Sequence, residues 1–390
     1  DSRAAIAFVS QELWDVVAPA VQESPDLRQV VVIGSEAPEG TLSWEAFVAG
    51  TTPAETLDCS GDEIAFWLYS SGSTGAPKGV RHVHSALRQT CDTFARQVLA
   101  IQEQDKVFSA AKLFFAYGLG NGMSFPMSVG ATSFLYNGRP TPDTVSHILE
   151  TYQPTVYYGV PTLYAALLYK WETDGAAPQV PLRCCTSAGE ALPAEIGRKW
   201  RDLMGIDIID GVGSTEMLHI FLSNRPGDVH YGTSGTAVPG YEVRLVDEDG
   251  VEVDTGVVGE LLVRGGSAAA DYWNQRDKTR RTFEGEWTRT GDKYERTAAG
   301  RFIYCGRTDD MFKVSGIWVS PFEIEQALVA FPAVLEAAVV AHRDEDDLEK
   351  PKAFVVLKPG HGPEAVAGMR TFIKDKIGKW KYQRWIEIID

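Results

Sequence analysis

The chain has 390 residues, 44% of them hydrophobic and 23% charged, enough to bury a large core spread over two or three domains. Its formal net charge of −16 excludes nucleic acid or an anionic membrane surface as the main partner, while leaving room for loops that bind phosphate locally. No apolar run is long enough to span a bilayer and no signal peptide is visible. The five cysteines (Cys59, Cys91, Cys184, Cys185 and Cys305) form no C-x-x-C pair or metal spacing, which points to a reduced, cytoplasmic chain.

In chain order, residues 1–60 read as strand, helix (11–21), strand (30–33) and a Gly/Pro/Thr-rich loop. The apolar run 64–68 predicts a buried strand, and apolar residues at helical spacing predict a helix over 85–99. Between them lies Ser70-Ser71-Gly72-Ser73-Thr74-Gly75-Ala76-Pro77-Lys78-Gly79. Glycines there permit close backbone approach, the N–H and hydroxyl groups suit an anion, and Lys78 adds a mobile point charge. The pattern is not a nucleoside-triphosphatase P-loop, because Pro77 precedes the lysine and Gly79 follows it.

A strand is expected at 106–110, then strand and helix over 152–168 with Pro161 at the helix start, strand and turn over 183–192, a helix over 193–204 and a strand at 206–209. These units predict a largely parallel sheet layered by helices, with ligand loops at strand ends. From 232 to 303 the pattern changes to short alternating strands with Gly turns, a small barrel-like β subdomain. Beyond Gly306-Arg307-Thr308-Asp309-Asp310, a capping-box pattern at Ser320-Pro321-Phe322-Glu323 opens a helix. Strands at 335–341 and 352–357 and a helix at 363–377 complete a small α+β domain, and the charge run 344–350 reads as a solvated turn. The predicted class is therefore α/β, with a large layered domain (1–308, its β-rich part about 232–303) and a small C-terminal domain (309–390).

The loop around Lys78 resembles the phosphate loop of the adenylate-forming superfamily of acyl-CoA ligases, peptide-synthetase adenylation domains and firefly-type luciferases. Downstream matches occur in the family's order. Asp210-Gly211-Val212-Gly213-Ser214-Thr215-Glu216 resembles its aromatic-Gly-x-Thr-Glu element, with Val212 in place of the aromatic that stacks on adenine. Trp287-Thr288-Arg289-Thr290-Gly291-Asp292 resembles its aromatic-x-Thr-Gly-Asp element, and Ser187-Ala188-Gly189-Glu190 the loop beside adenine and the acyl group. The resemblance implies ATP, Mg²⁺ and coenzyme A as reactants or cofactors. Residues Ser70 to Gly75 and Lys78 would hold phosphate, Thr215 the α-phosphate, and Glu216 the metal. Asp210, Gly189 and Glu190 would lie at adenine, with Asp292 and Arg307 on the ribose. Lys78, Thr215 and Glu216 are the implied catalytic set.

The family's substrate element falls on Phe114-Phe115-Ala116-Tyr117-Gly118-Leu119-Gly120-Asn121-Gly122. Peptide-synthetase domains carry an Asp there for an amino group, whereas this chain has Ala116-Tyr117, which argues against an α-amino acid. An apolar slot from Ala116, Tyr117, Tyr158, Ala188, Gly189, Gly211, Gly213, Leu218 and Ile220, with His219 toward its far end, suits a flat ring. The local wording is similar to the benzoate–CoA ligase branch, so the implied activity is that of an AMP-forming acid–thiol ligase acting on benzoate or a substituted benzoate. A ligase for aminobenzoate, hydroxybenzoate, a cinnamate or a short aliphatic acid is an alternative, as is an ATP/AMP-binding remnant without turnover. The family's mobile last domain implies a hinge at Asp309, and Gly316, in Lys313-Val314-Ser315-Gly316, would leave room for pantetheine. The chain reads as a fragment whose family adenylation lysine would lie downstream of the strand at 385–389. A homodimer is compatible with the sequence.

Overall fold

The computed structural model describes residues 1–70, 77–308, 310–314, 317–344, 349–377 and 385–389. Ser71 to Gly75, the hinge residue Asp309 and Gly316 lie outside the described residues. The chain divides into two compact units, Asp1–Ser60 and Gly61–Asp390.

In the first unit, β1 (Ile6–Ser10), β2 (Gln29–Ile33) and β3 (Leu42–Ser43) form a parallel sheet. Helix α1 (Trp14–Gln22) connects β1 to β2, and Trp14, Val17 and Val21 pack on Val9, Val30 and Val32. Helix α2 (Trp44–Val48) follows a cap in which Ser43 Oγ accepts from the Ala46 amide.

The second unit opens on a hairpin. Strand β4 (Ile64–Ser70) pairs antiparallel with β5 (Lys78–Val83), so Ser70 lies opposite Lys78 at the base of the Ser/Gly/Thr loop. This corrects the strand–loop–helix expectation: the loop joins two strands, and helix α3 (His84–Thr90) begins only after β5. The run Lys78-Gly79-Val80-Arg81-His82-Val83 is held extended because Val80 and His82 enter the interior on the same face as Lys78. A wider helical turn at Cys91–Val98 continues α3 and buries Phe94, Ala95 and Val98.

Among the described residues a seven-stranded sheet follows, in spatial order β12-β11-β10-β9-β8-β6-β7. Its strands are β6 (Lys106–Ser109), β7 (Thr132–Phe134), β8 (Val156–Gly159), β9 (Cys184–Ser187), β10 (Ile208–Gly213), β11 (Ile220–Ser223) and β12 (Thr236–Ala237). Strands β6 to β10 run parallel, and β8 and β9 are buried at every residue, as strands covered on both faces must be. Helices α4 (Ala116–Leu119) and α5 (Phe125–Val129) fall between β6 and β7. Helix α6 (Pro142–Tyr152) precedes β8, α7 (Pro161–Asp174) precedes β9, and α8 (Ala194–Met204) precedes β10. Pro161 stands at the start of α7, and Gly175 closes that helix at φ +77.

Strand β10 starts two residues later than expected and runs through Gly213, so Asp210 to Gly213 belong to the strand itself. The glycines allow it: a Cβ on Gly211 would meet the Leu222 carbonyl oxygen at 2.8 Å, and one on Gly213 the His219 carbonyl oxygen at 2.5 Å.

The expected β-rich part is an antiparallel sheet of β13 (Tyr241–Val246), β14 (Val258–Gly265), β16 (Phe283–Glu284), β17 (Trp287–Arg296) and β18 (Phe302–Arg307). A short strand, β15 (Asp271–Tyr272), leaves it to pair with β5, beside α9 (Arg276–Thr282). The last part holds the hairpin β19 (Phe312–Val314) and β20 (Ile317–Val319), then α10 (Pro321–Val329), β21 (Val334–Arg343), β22 (Glu349–Leu357), α11 (Ala365–Ile377) and β23 (Trp385–Ile389). Ser320 Oγ accepts from the Glu323 amide at the start of α10, as the capping pattern predicts. The end of the charge run, Glu349-Lys350, is already strand, while 345–348 lie outside the described residues.

Candidate active site

The site lies at the carboxyl ends of the parallel strands, where open α/β sheets gather ligand loops. A cleft of about 1590 Å³ runs along it. Its walls include Ser70, Lys78, Gly189, Glu190, Asp210, Thr215, Glu216, Asp292 and Arg307. These are the described members of the nucleotide and metal set predicted from sequence, and one cleft brings them together. Val212, the residue in the adenine-stacking position, lines it too.

At one side Lys78 Nζ lies 2.5 Å from Glu216 Oε1 and 3.1 Å from the Tyr272 hydroxyl, which itself donates to Glu216 Oε1 at 2.6 Å. Burial pushes the Glu216 carboxyl up, but the Lys78 charge and the bonds from Lys78 and Tyr272 outweigh it and hold the carboxyl below its ordinary value. Glu216 is therefore an anion held by one of its two oxygens. Tyr272 was not anticipated. Its only sequence signal is an aromatic in a short strand edge, and its place follows from β15 pairing with β5, Tyr272 opposite Val80.

The turn after β10 is tied to the hairpin a second time. His82 Nε2 lies 2.8 Å from the Thr215 carbonyl oxygen, and its ring stacks on Phe66 with centroids 5.3 Å apart. Burial drives His82 down to about 4, so the ring is neutral at ordinary pH.

At the other side Asp292 faces Arg307 across the β17–β18 register, 2.9 Å from guanidinium to carboxylate. Burial raises the Asp292 carboxyl and the Arg307 charge opposes that rise. Thr290-Gly291-Asp292 lies within one long strand, with Gly291 at φ +73, where a Cβ would meet the Arg307 guanidinium at 3.0 Å. Asp210 is buried with one carboxylate oxygen unpartnered, and burial pushes its carboxyl well above the usual range against bonds from the Leu192 and Gly211 amides and Ser187.

The predicted acyl-slot residues divide: Gly189, Gly211 and Gly213 border the cleft, and the others pack in the interior beside it. The Tyr117 hydroxyl shares a 2.6 Å hydrogen bond with Thr186 Oγ1, and its ring meets Tyr158 edge-on at 6.3 Å. His219 sits among Tyr117, Phe94 and Phe125, with ring centroids 5.6, 5.3 and 4.5 Å away. Its Nε2 faces the Tyr117 carbonyl oxygen at 3.3 Å and Asn121 Oδ1 at 3.2 Å, and burial drives it down to about 3. Tyr158, Ala188 and Ile220 join one apolar core, while Ala116 and Leu218 join a second with Leu68 and Ala86. The 1590 Å³ cleft touches Gly189, Gly211 and Gly213 but is not lined by Ala116, Tyr117, Tyr158, Ala188, Leu218, His219 or Ile220, which pack beside it. Thr186 and Asn121 were also missed, since a threonine in a strand and an asparagine in a Gly-rich helix carry no local signal.

Two features test the fit of nucleotide and metal. The unpartnered Asp210 oxygen suits a donor such as an adenine amino group. Among the described residues no cluster of three or more His, Cys, Asp or Glu side chains could cage a metal ion. A single carboxylate such as Glu216 suits Mg²⁺, which is commonly bound by one or two carboxylates together with substrate phosphates.

Comparison with known proteins bears on the family and the fold. The AMP-binding enzyme family model matches residues 1–273, and the AMP-binding enzyme C-terminal domain model matches 323–390. The chain is 55% identical over its whole length to a benzoate–CoA ligase of Thauera aromatica, covering 74% of that protein. It is 54% identical, again over its whole length, to a 4-hydroxybenzoate–CoA/benzoate–CoA ligase of Rhodopseudomonas palustris, covering 73% of it. Its fold is similar to the crystal structure of the anthranilate CoA ligase AuaEII in complex with anthranoyl-AMP, at a TM-score of 0.94 and 40% identity over 99% of this chain and 74% of that one. No helix among the described residues is long and apolar enough to cross a membrane. Fold, cleft and relatives converge: the chain belongs to the AMP-binding enzyme family.

Proposed function

We propose that this protein is an AMP-forming aromatic-acid–CoA ligase whose acid is benzoate or a simple substituted benzoate. The observation that carries the reading is a single turn, Ser214 to Ile220, that has Thr215 and Glu216 on the charged cleft and Leu218, His219 and Ile220 in the apolar and aromatic packing beside it. Identity above 50% to two ligases named for benzoate supports the substrate class.

A carboxylate oxygen of the acid attacks the α-phosphorus of ATP, the bond to pyrophosphate breaks, and an acyl-adenylate forms. The thiol of coenzyme A then attacks the acyl carbon and AMP leaves. The first step brings two anions together, so it needs fixed positive charge and alignment. Lys78 supplies charge at the phosphate end and Thr215 a hydroxyl. Glu216 would hold Mg²⁺, which neutralises phosphate charge when bound. Asp292 accepts from the ribose hydroxyls, as an acceptor-only carboxylate suits, with Arg307 fixing its orientation. Ser70 to Gly75 complete the phosphate loop in this reading, and Gly189, Glu190 and Asp210 border adenine.

Tyr117, Tyr158 and Ala116 form the walls of the ring slot, together with Ala188, Gly189, Gly211, Gly213, Leu218 and Ile220. The neutral His219 closes one side. We read 309–390 as a small domain that moves about Asp309 relative to 1–308 and brings Gly316 to the thioester step. The five free cysteines and the absence of a membrane-crossing helix among the described residues fit a cytoplasmic enzyme. The reading is tested by following AMP and acyl-CoA formation with a panel of acids: benzoate and its hydroxy and amino derivatives should be used, and amino acids should not.

A further inference from the structure

The turn Ser214–Leu218 carries both halves of the proposed chemistry. Thr215 and Glu216 face the nucleotide cleft, while Leu218 packs with Ala116 beside the ring slot. The turn is not relaxed. Leu218, a bulky residue, stands at φ +65, in the left-handed region. Local bonds hold it: the Met217 amide donates to Ser214 Oγ at 3.1 Å, and the Leu218 amide to the Thr215 carbonyl at 3.2 Å.

That same Thr215 carbonyl also meets a side chain from outside the turn. His82 Nε2 lies 2.8 Å from it. A carbonyl oxygen only accepts, so Nε2 carries the proton and the ring is the Nε2–H tautomer. The imidazole plane is set by stacking on Phe66, and the ring is fully buried. Lys78 and His82 are four residues apart on β5 and so share a face, one gripping the Glu216 carboxylate and the other the Thr215 carbonyl.

We infer that His82 is a positioning residue for this reaction, holding the strained Ser214–Leu218 turn so that the phosphate side and the ring side keep one register. It touches neither reactant. It acts through the Thr215 peptide, and its loss therefore affects use of ATP and of the acid together. This rests on the functional reading above.

The experiment compares wild type, His82→Leu and His82→Gln in the adenylation half-reaction, with ATP binding followed separately by calorimetry. Gln can place an N–H where Nε2–H stood, and Leu cannot. His82→Leu should lower kcat/KM at least tenfold for both ATP and benzoate and weaken ATP binding, and His82→Gln should recover to within about threefold of wild type on both. Wild-type kinetics and ATP binding in His82→Leu would overturn the inference, as would a Gln variant as impaired as the Leu variant. Should His82→Leu fail to fold, ¹⁵N spectroscopy of the wild-type imidazole decides: the Nε2–H tautomer supports the inference, and the Nδ1–H tautomer contradicts it. A wild-type protein that binds ATP but adenylates no aromatic acid would refute the functional reading, leaving the tautomer and ATP-binding measurements to judge His82.

Discussion

Lys78 Nζ and Glu216 Oε1 lie 2.5 Å apart although 138 residues separate them in the chain. The contact joins the base of the Ser/Gly/Thr hairpin to the turn that ends the last parallel strand, and Tyr272 closes the triangle on the same carboxylate oxygen. In the proposed reaction the lysine serves phosphate and the glutamate the metal, so the pair defines the phosphate end of the cleft.

Removing either partner should therefore damage ATP use first. A hydrogen bond to a charged group contributes about 1.5–3 kcal/mol, so Lys78→Ala should lower kcat/KM for ATP by about 10- to 100-fold. Glu216→Gln should raise the Mg²⁺ concentration needed for half-maximal rate. Steady-state kinetics with ATP and Mg²⁺ varied independently measures both. Unchanged values in the two variants would remove the site assignment.

Asp292 and Arg307 make a prediction about the sugar. If Asp292 accepts from both ribose hydroxyls, wild type should prefer ATP over 2′-deoxy-ATP. Asp292→Ala should lose most of that preference as well as activity, because its two substrates then differ by no protein contact. Arg307→Ala should do less harm than Asp292→Ala, although it leaves a buried carboxyl without its cation. A variant at Asp292 that discriminates as wild type does would place the ribose elsewhere.

The ring slot is tested by bulk. Ala116 packs with Leu218, and a leucine in its place should exclude substituted benzoates more than benzoate, by about 1–3 kcal/mol for methylene-scale crowding, while leaving ATP binding near wild type. An acid preference identical to wild type would put Ala116 outside the slot.

Buried neutral histidines make stability depend on pH. His219 is driven down to about 3 in the folded protein, below the unfolded value of about 6.5. As pH falls below about 6.5 the unfolded chain takes up a proton that the folded state refuses, so this residue's effect is to lower stability with acidification and to be silent above that pH. At pH 5 the deficit is about 2 kcal/mol from 1.5 pH units at about 1.4 kcal/mol each. Asp210 and Asp292, whose carboxyls are raised, act with the opposite sign in their own range, so the comparison must be between variants. Denaturant unfolding of wild type and His219→Gln at pH 7.5 and 5.0 should show the smaller drop in the variant. An identical drop would mean that His219 titrates normally in the folded protein.

Much of this site was readable in the sequence because its chemistry is local. Lys78, Thr215-Glu216 and Asp292 each sit in a short run whose glycines and hydroxyls are unusual together, and the fold brings them to one cleft. What the sequence hid is non-local. Tyr272 reaches Glu216 only because β15 leaves its own neighbourhood to pair with β5, and His82 matters only because β5 is a strand. The expectation of a helix straight after the loop concealed that strand, since the Gly/Pro punctuation at Ala76 to Gly79 masks the alternation that follows. Thr186 and Asn121 were invisible for a similar reason: their partners, Tyr117 and His219, lie on other elements. The expected strand stopped at 209, short of the β10 glycines, because strands seldom tolerate glycine, yet here the missing side chains are what lets β11 approach.

The central claim, that the cleft and the slot serve one reaction, is tested most directly by a single-turnover measurement on the protein that contains this chain. Benzoate, ATP, Mg²⁺ and coenzyme A are mixed, and benzoyl-AMP and benzoyl-CoA are quantified over time. The account predicts that benzoyl-AMP rises first and is consumed as benzoyl-CoA and AMP appear in equal amounts. Release of ADP and phosphate in place of AMP and pyrophosphate, or benzoyl-CoA formed with no adenylate preceding it, would contradict it.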